Sequence, residues 1–383
     1  MKTATTLLLF FILSLLALSV TMLTSAATLD RNTHYLAQQP MWCAIGLAAF
    51  GLAAASDYRW FKKYPWLPLA LLGLAAVLLL MVFIPQIGPK IKGARRWITF
   101  GGLRFQPSEF AKLALIVALA WYGERFQRYM PTFLRGMVYP LGIAGFTMAL
   151  VFVEPDVGTA LLLGAVSSVI LLVAGMRLRY FLPPVLLVAA GLAVFIANNP
   201  MRSDRIYSWL HLEETRLGTG MQVYRALVAM GSGGVEGRGP GESRMKLEYL
   251  PEHHTDFILA IIGEELGLGG TVGLIAIYLG ILICGVYIAW HASDVFGMLL
   301  ATGITLLIGI QAFINVAVVT NTFPNKGLAL PFVSYGGSSL VALLMCVGFL
   351  ISIGRHAGDG LSIASGISGR RNPFGRAAGA EAI

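Results

Sequence analysis

Long apolar runs broken by short polar intervals set the plan of this chain. A helix that crosses a bilayer needs about 20 mostly apolar residues. Ten stretches come close: 5–27, 39–55, 65–85, 108–122, 136–153, 157–175, 181–198, 257–288, 295–320 and 331–354. The second and fourth are short. The run 257–288 is too long for one simple span, so its first part is expected to be a half-buried or re-entrant helix. One polar interval stands apart by its length, 199–256, between the seventh and eighth spans. Its first part, 201–230, has enough periodic apolar residues for one or two surface helices. The pattern therefore predicts an all-α integral membrane protein of about ten transmembrane helices, with one large loop between helices 7 and 8. Residues 1–354 form its membrane domain. Residues 355–383, rich in Gly, Ser, Ala and Arg, read as a disordered tail. The first apolar run is longer than the roughly 7–15 residues of a signal-peptide core, which favours a retained span.

Composition agrees. Of 383 residues, 57% are hydrophobic and only 12% charged, and the mean hydropathy is +0.74; a soluble domain carries about 25% charged residues. The net charge of +9 points to loops facing anionic lipid and to a phosphate-bearing substrate rather than to nucleic acid. Cys43, Cys284 and Cys346 all lie inside apolar runs, with no disulfide or metal spacing. Lys and Arg also set the orientation. With the N-terminus in the cytoplasm, thirteen fall on inner segments and seven on short outer loops, as the positive-inside rule requires. Both termini are then cytoplasmic, and the loop 199–256 is extracytoplasmic. Five of the seven outer charges, however, crowd into 86–107: Lys90, Lys92, Arg95, Arg96 and Arg104. A basic cluster on the translocated side works against topology, so it implies a use such as holding an anion.

Four segments carry candidate chemistry. In GARRWITFGGLRFQPSEFAK, Pro107 suits a helix start, and Glu109 and Lys112 share a helix face three residues apart. This segment is either a helix-start ion pair with snorkelling cations or a pyrophosphate clamp of Arg95, Arg96 and Lys112, since arginine forks match phosphate oxygens. In EPDVGTA, 154–160, Pro155 breaks one helix and Asp156 can cap the next. The long loop holds Gly231, Gly233, Gly234, Gly237, Gly239 and Gly241, a density incompatible with helix and suited to a flexible lid. No GK[ST] follows, so it is not a nucleotide P-loop. After Ser243, Arg244 and Lys246 come His253, His254, Thr255 and Asp256. Thr255 can cap the following helix, and Asp256 suits either its first turn or catalysis. No HExxH motif or cysteine pair accompanies the histidines, which disfavours zinc. Glu264 and Glu265, within GEELG, are intramembrane carboxylates that must face the bundle interior. Finally, NTFPNKGLALPFVSYGGSSL, 321–340, supplies Lys326, Ser334 and Ser338 to an outer loop, while Gln311 and Asn315 share one face of the ninth span, where interhelical hydrogen bonds are their simplest role.

Together, RRWITFGGLRFQPSEFAK, EPDVGTA, GSGGVEGRGPGESRMKLEYLPEHHTDFILAIIGEELG and FPNKGLALPFVSYGGSSL resemble the SEDS family of bacterial envelope proteins. The segments run over nearly the whole chain in the family's order. Lys326–Gly327–Leu328 and the earlier GARRW are closer to the division branch than to the elongation branch. Glu154 stands where the family usually has Gln, and Glu242 and Met245 where Asn and Gln are common. The resemblance implies a peptidoglycan glycosyltransferase of the inner membrane, at the division septum, that polymerises lipid II alongside a class B penicillin-binding protein and other divisome proteins. Its essential aspartate falls on Asp256. The substrate-binding candidates are Arg95, Arg96, Glu109, Lys112, Arg244, Lys246, His254, Lys326, Ser334 and Ser338. No dedicated metal cage is visible, and a divalent cation, Mg or Mn, between Asp256 and the pyrophosphate stays open. The competing readings are a lipid II flippase, the elongation counterpart, and a non-catalytic scaffold.

Overall fold

The computed structural model describes residues 1–27, 34–91, 93–100, 103–244 and 255–368. Its helices follow the apolar runs. In order they are α1 (Lys2–Ala27), α2 (His34–Ala55), the single turn α3 (Trp60–Lys63), α4 (Trp66–Met81), α5 (Pro107–Arg125), α6 (Tyr139–Val153), α7 (Val157–Val173), α8 (Leu178–Ala197), α9 (Pro200–Leu210), α10 (Met221–Gly233), α11 (Ile258–Trp290), α12 (Val295–Val319) and α13 (Gly337–Ser368). A π-helical turn, Leu134–Val138, leads into α6. The ten expected spans fall on α1, α2, α4 to α8 and α11 to α13. Six of these spans are long and apolar enough on their own to cross a membrane, counting the turn before α6 with α6, whereas α4 and α7 are shorter.

Charge decides which helix lies at the centre. A span carrying Glu109 and Lys112 cannot face hydrocarbon cheaply. Accordingly α5 is buried from Pro107 to Ala120 apart from Phe110, and packs against α4, α7 and α12. On the far side α13 lies along α2, and α11 is held between α1, α10 and α12. At one end of the bundle Lys62 pairs with Glu124 and lies 3.5 Å from Asp294, while the buried Tyr58 hydroxyl donates to Asp294 at 3.0 Å. α8 is the opposite case, since none of its residues is buried. It meets the bundle through Tyr180 on Phe133 and Phe195 on Phe152, with ring centroids 5.5 and 5.1 Å apart. A long apolar helix with no buried residue is solvated by lipid over most of its surface.

Three local expectations change. The glycine-dense segment begins as helix, because Gly231 and Gly233 close the last turn of α10, whose other residues carry the helix past them. The last span starts at Gly337 and runs on to Ser368, beyond the predicted end at 354; 369–383 lie outside the described residues. Within 86–107 a short antiparallel hairpin, β1 (Ile98–Phe100) and β2 (Leu103–Phe105), pairs Thr99 with Arg104. Its sequence signal is Gly101–Gly102 between two β-type runs. The long run is split as expected, but its first part is fully buried rather than half-buried. α11 is broken at Gly267 (φ 65°, ψ −161°), and Ile258–Glu265 before the break are all buried.

Candidate active site

Asp256 sits in the turn that enters α11. The helix N-cap is Phe257, with no side-chain cap, so the capping role expected of Thr255 is absent. Other elements fix the turn. Asn315 of α12 donates through Nδ2 to the backbone oxygens of Asp256 (2.8 Å) and Leu328 (2.7 Å). The Ser334 hydroxyl donates to the Thr255 carbonyl and accepts from the Leu330 amide at 2.8 Å. One polar side chain from a span and one from the loop 321–336 thus set where the Asp256 backbone lies. The carboxylate itself packs on Gly327: a Cβ at that position would stand 2.4 Å from Asp256 Oδ2. Only glycine leaves room for the carboxylate where it is.

Lys326 precedes that glycine. Burial lowers its ammonium pKa to about 8, Arg202 and Arg205 push the same way, and Asp156 opposes them. Asp156 caps α7, accepting from the Thr159 amide at 3.1 Å and the Thr159 hydroxyl at 2.9 Å. The same corner engages Arg96, which donates to the carbonyls of Glu154 (3.0 Å) and Pro155 (2.6 Å). Arg95 donates to the Phe83 carbonyl at 3.0 Å. These two guanidinium groups therefore bind backbone, and through Asp156 the corner held by Arg96 borders the Lys326 loop. The Glu154 carboxyl is buried, and among the described residues neither of its oxygens has a hydrogen-bond partner. Burial raises its pKa to about 8, Asp156 adds to the rise, and Arg96 opposes it.

The remaining candidates divide. Lys112 is buried 2.8 Å from Glu109 Oε2 and donates to Gln311 Oε1 at 3.2 Å, and Gln311 in turn donates to the Ala329 carbonyl at 2.9 Å. This chain braces the same loop from inside the bundle. Ser338 accepts from the Gln106 amide at 3.2 Å, tying the start of α13 to that of α5. The Arg244 side chain is exposed, while its amide donates to Glu264 at 3.0 Å. Lys246 and His254 lie outside the described residues.

Glu264 and Glu265 face inward as expected, and what they hold is the glycine segment. Glu264 accepts from Ser243 Oγ and the Arg244 amide; Glu265 accepts from the Gly241 amide at 3.0 Å and from Ser25 Oγ of α1 at 2.6 Å. The amides of Arg238 and Gly239 donate to the Glu264 and Glu265 carbonyls, both at 3.0 Å. Gly237 (φ 82°) and Gly267 (φ 65°) permit this approach, since a Cβ on Gly237 would lie 2.3 Å from the Glu265 carbonyl oxygen. The segment expected to be a flexible lid is clasped to the break in α11. Sequence reasoning missed that Gly327 seats the Asp256 carboxylate and that Arg202 and Arg205 act on Lys326. The i, i+3 spacing of the two arginines was the available signal.

Comparison with known proteins bears on this arrangement. Residues 1–358 match the family described as cell cycle protein, FTSW_RODA_SPOVE. A Geobacter metallireducens protein named probable peptidoglycan glycosyltransferase FtsW is 43% identical over 320 residues, covering 84% of each chain. Stage V sporulation protein E of Bacillus subtilis is 38% identical over 364 residues, covering 93% of this chain and 98% of its own. Among solved structures, a chain from work on polymerization and crosslinking by a peptidoglycan synthase complex has a TM-score of 0.74 at 27% identity, covering 91% of this chain and 97% of that one. Thermus thermophilus RodA gives 0.66 at 28% identity, covering 91% and 96%.

Proposed function

The chain belongs to the FTSW_RODA_SPOVE family of cell cycle proteins, and from that premise we propose that it is a multi-pass peptidoglycan glycosyltransferase that polymerises lipid II, with Asp256 as its general base. The observation that carries the assignment is the setting of Asp256: its backbone is fixed by Asn315 and Ser334 and its carboxylate is seated on Gly327. A base must be held to within about 1 Å of its working position. Asp256 takes the proton from the acceptor sugar's 4-hydroxyl as that oxygen attacks the donor's anomeric carbon. The bond to the lipid pyrophosphate breaks, and its electron pair leaves with the phosphate. Attack opposite the leaving group turns an α-linked sugar into a β-link with no enzyme nucleophile. General-base help of this kind contributes about 10²–10⁴-fold.

The site faces the outside of the inner membrane in this reading, which rests on the charge asymmetry of the loops. The naming of the relatives FtsW supports a division role, and the synthase-complex neighbour supports a class B penicillin-binding protein as partner. The described residues gather no group of three His, Cys, Asp or Glu that could hold a metal ion. Were a divalent cation, Mg or Mn, to bind here, Asp256 would be the residue to hold it, and the ion would supply charge neutralisation for the leaving group. Purified protein incubated in detergent with labelled lipid II, with and without the partner, tests the function. Glycan strands support polymerisation. Absence of strands in both conditions, alongside lipid II movement across vesicles, supports a flippase instead.

A further inference from the structure

α9 presents Arg202, Arg205 and Trp209 on one face, at i, i+3 and i+7. Trp209 turns that face toward the loop after α12. Its Nε1 donates to the Asn321 carbonyl at 3.0 Å, and Asn321 Nδ2 returns a bond to the Trp209 carbonyl at 3.4 Å. A second tie, Asn325 to Gln222 of α10 at 3.2 Å, fixes the loop one residue before Lys326. The result is that Lys326 lies within the field of both arginines. Like charges repel when brought together, and the fold supplies little to offset this. Among the described residues none of the three makes a salt bridge. The carboxylate acting on Lys326 is Asp156, whose oxygens both accept from Thr159. Arg202 lies with its guanidinium 4.0 Å from the Phe195 ring centroid, a contact that uses the face of the group and leaves its N–H edge for an anion. The neighbouring Gly327 touches the Asp256 carboxylate, so a ligand held here would lie beside the base.

We propose that Arg202, Arg205 and Lys326 form the site that holds the pyrophosphate of the lipid-linked sugar donor. This rests on the glycosyltransferase reading and goes beyond it, because it transfers the leaving-group contact from Arg95 and Arg96, which bind backbone carbonyls, to α9 and the loop before α13. Two guanidinium forks and an ammonium match the spread oxygens of a diphosphate. The ammonium pKa of Lys326 is lowered. Burial comes first among its causes, the two arginines add to it, and a bound diphosphate would reverse the shift and draw a proton onto the amine above pH 8.

The test uses full-length protein in phosphatidylcholine nanodiscs and a fluorescent polyprenyl pyrophosphate as the probe. The Arg202→Gln/Arg205→Gln pair should weaken binding at least about tenfold, the loss expected for charge-assisted hydrogen bonds. Arg205→Gln alone, at an exposed side chain with no salt bridge among the described residues, should weaken it less while leaving melting unchanged; it keeps the test valid if the pair folds poorly. Arg128→Gln, exposed near the far end of α5, should bind as wild type. Inorganic pyrophosphate should displace the probe, and adding phosphatidylglycerol to the nanodisc should not. Wild-type affinity in folded Arg202→Gln/Arg205→Gln or Arg205→Gln protein, or displacement by phosphatidylglycerol, overturns the site. Probe binding that needs the arginines in a wild-type protein that makes no glycan would leave this site standing and sink the glycosyltransferase reading. Glycan synthesis with binding indifferent to the arginines does the reverse.

Discussion

Replacing Gly327 by alanine probes the seating of Asp256 without touching the carboxylate. The added Cβ would lie 2.4 Å from Oδ2, and the three atoms nearest to it all belong to the Asp256 side chain. A relaxed carbon–oxygen contact is about 3.3 Å, so the carboxylate must withdraw by about 1 Å. Gly327 is exposed and has no positive φ, so alanine fits the backbone and the strain falls on one movable side chain, at about 0.5–1.5 kcal/mol. Folding should hardly change. A base misplaced by about 1 Å costs about 10²-fold in rate, or about 2.7 kcal/mol of transition-state stabilisation. The assay is steady-state polymerisation of labelled lipid II, read as glycan length and rate, with a melting curve in the same detergent. The expected result is a hundredfold lower kcat with near-native melting and KM. A variant that polymerises at the wild-type rate, or one whose activity falls only in step with its melting, would refute the reasoning.

Other consequences are as direct. Glu154→Gln removes a buried carboxyl whose folded pKa of about 8 lies above its unfolded value. The folded state then binds the extra proton, so stability should fall as pH rises from about 4.5 to 8 in wild type and stay flat in the variant. By pH 8 the variant should gain about 1–3 kcal/mol in melting measurements. Lys326 is charged below about pH 8 and loses its proton above it, so KM for lipid II should rise through that pH; Lys326→Arg should move this limb upward out of range, and an unmoved limb would count against Lys326. Asn315→Ala removes the bonds to the Asp256 and Leu328 carbonyls; it should cost about 1–3 kcal/mol of stability, together with activity. Glu264→Ala should speed hydrogen exchange at the Arg244 amide, and unchanged protection there would show that the clasp does not depend on this carboxylate.

The spans could be read from hydrophobicity because lipid punishes any other arrangement, and all ten appear within a few residues of the apolar runs, with α13 extending furthest beyond its run. Asp256 was picked out by position and resemblance, but its surroundings were not legible. Asn315 reads as interhelical glue in sequence, and only the packing of α12 against the loop 321–336 turns it toward Asp256. Arg95 and Arg96 read as a clamp because nothing in sequence shows that the carbonyls of Phe83, Glu154 and Pro155 lie within their reach. The glycine segment read as a lid because glycine density signals freedom. The two glutamates that clasp it stand more than twenty residues downstream, a distance that local pattern does not cross. Arg202 and Arg205 were visible as a helical pair, yet Lys326 joins them across 121 residues of sequence through the Trp209–Asn321 and Gln222–Asn325 contacts, which local pattern does not show.

Asp256→Asn is the decisive substitution, since it keeps the shape of the side chain and removes the base. The purified variant should melt like wild type, bind the polyprenyl pyrophosphate probe normally, and make no glycan strands from labelled lipid II, with or without a class B penicillin-binding protein. Glycan synthesis by Asp256→Asn at the wild-type rate would contradict the assignment of Asp256 as the general base.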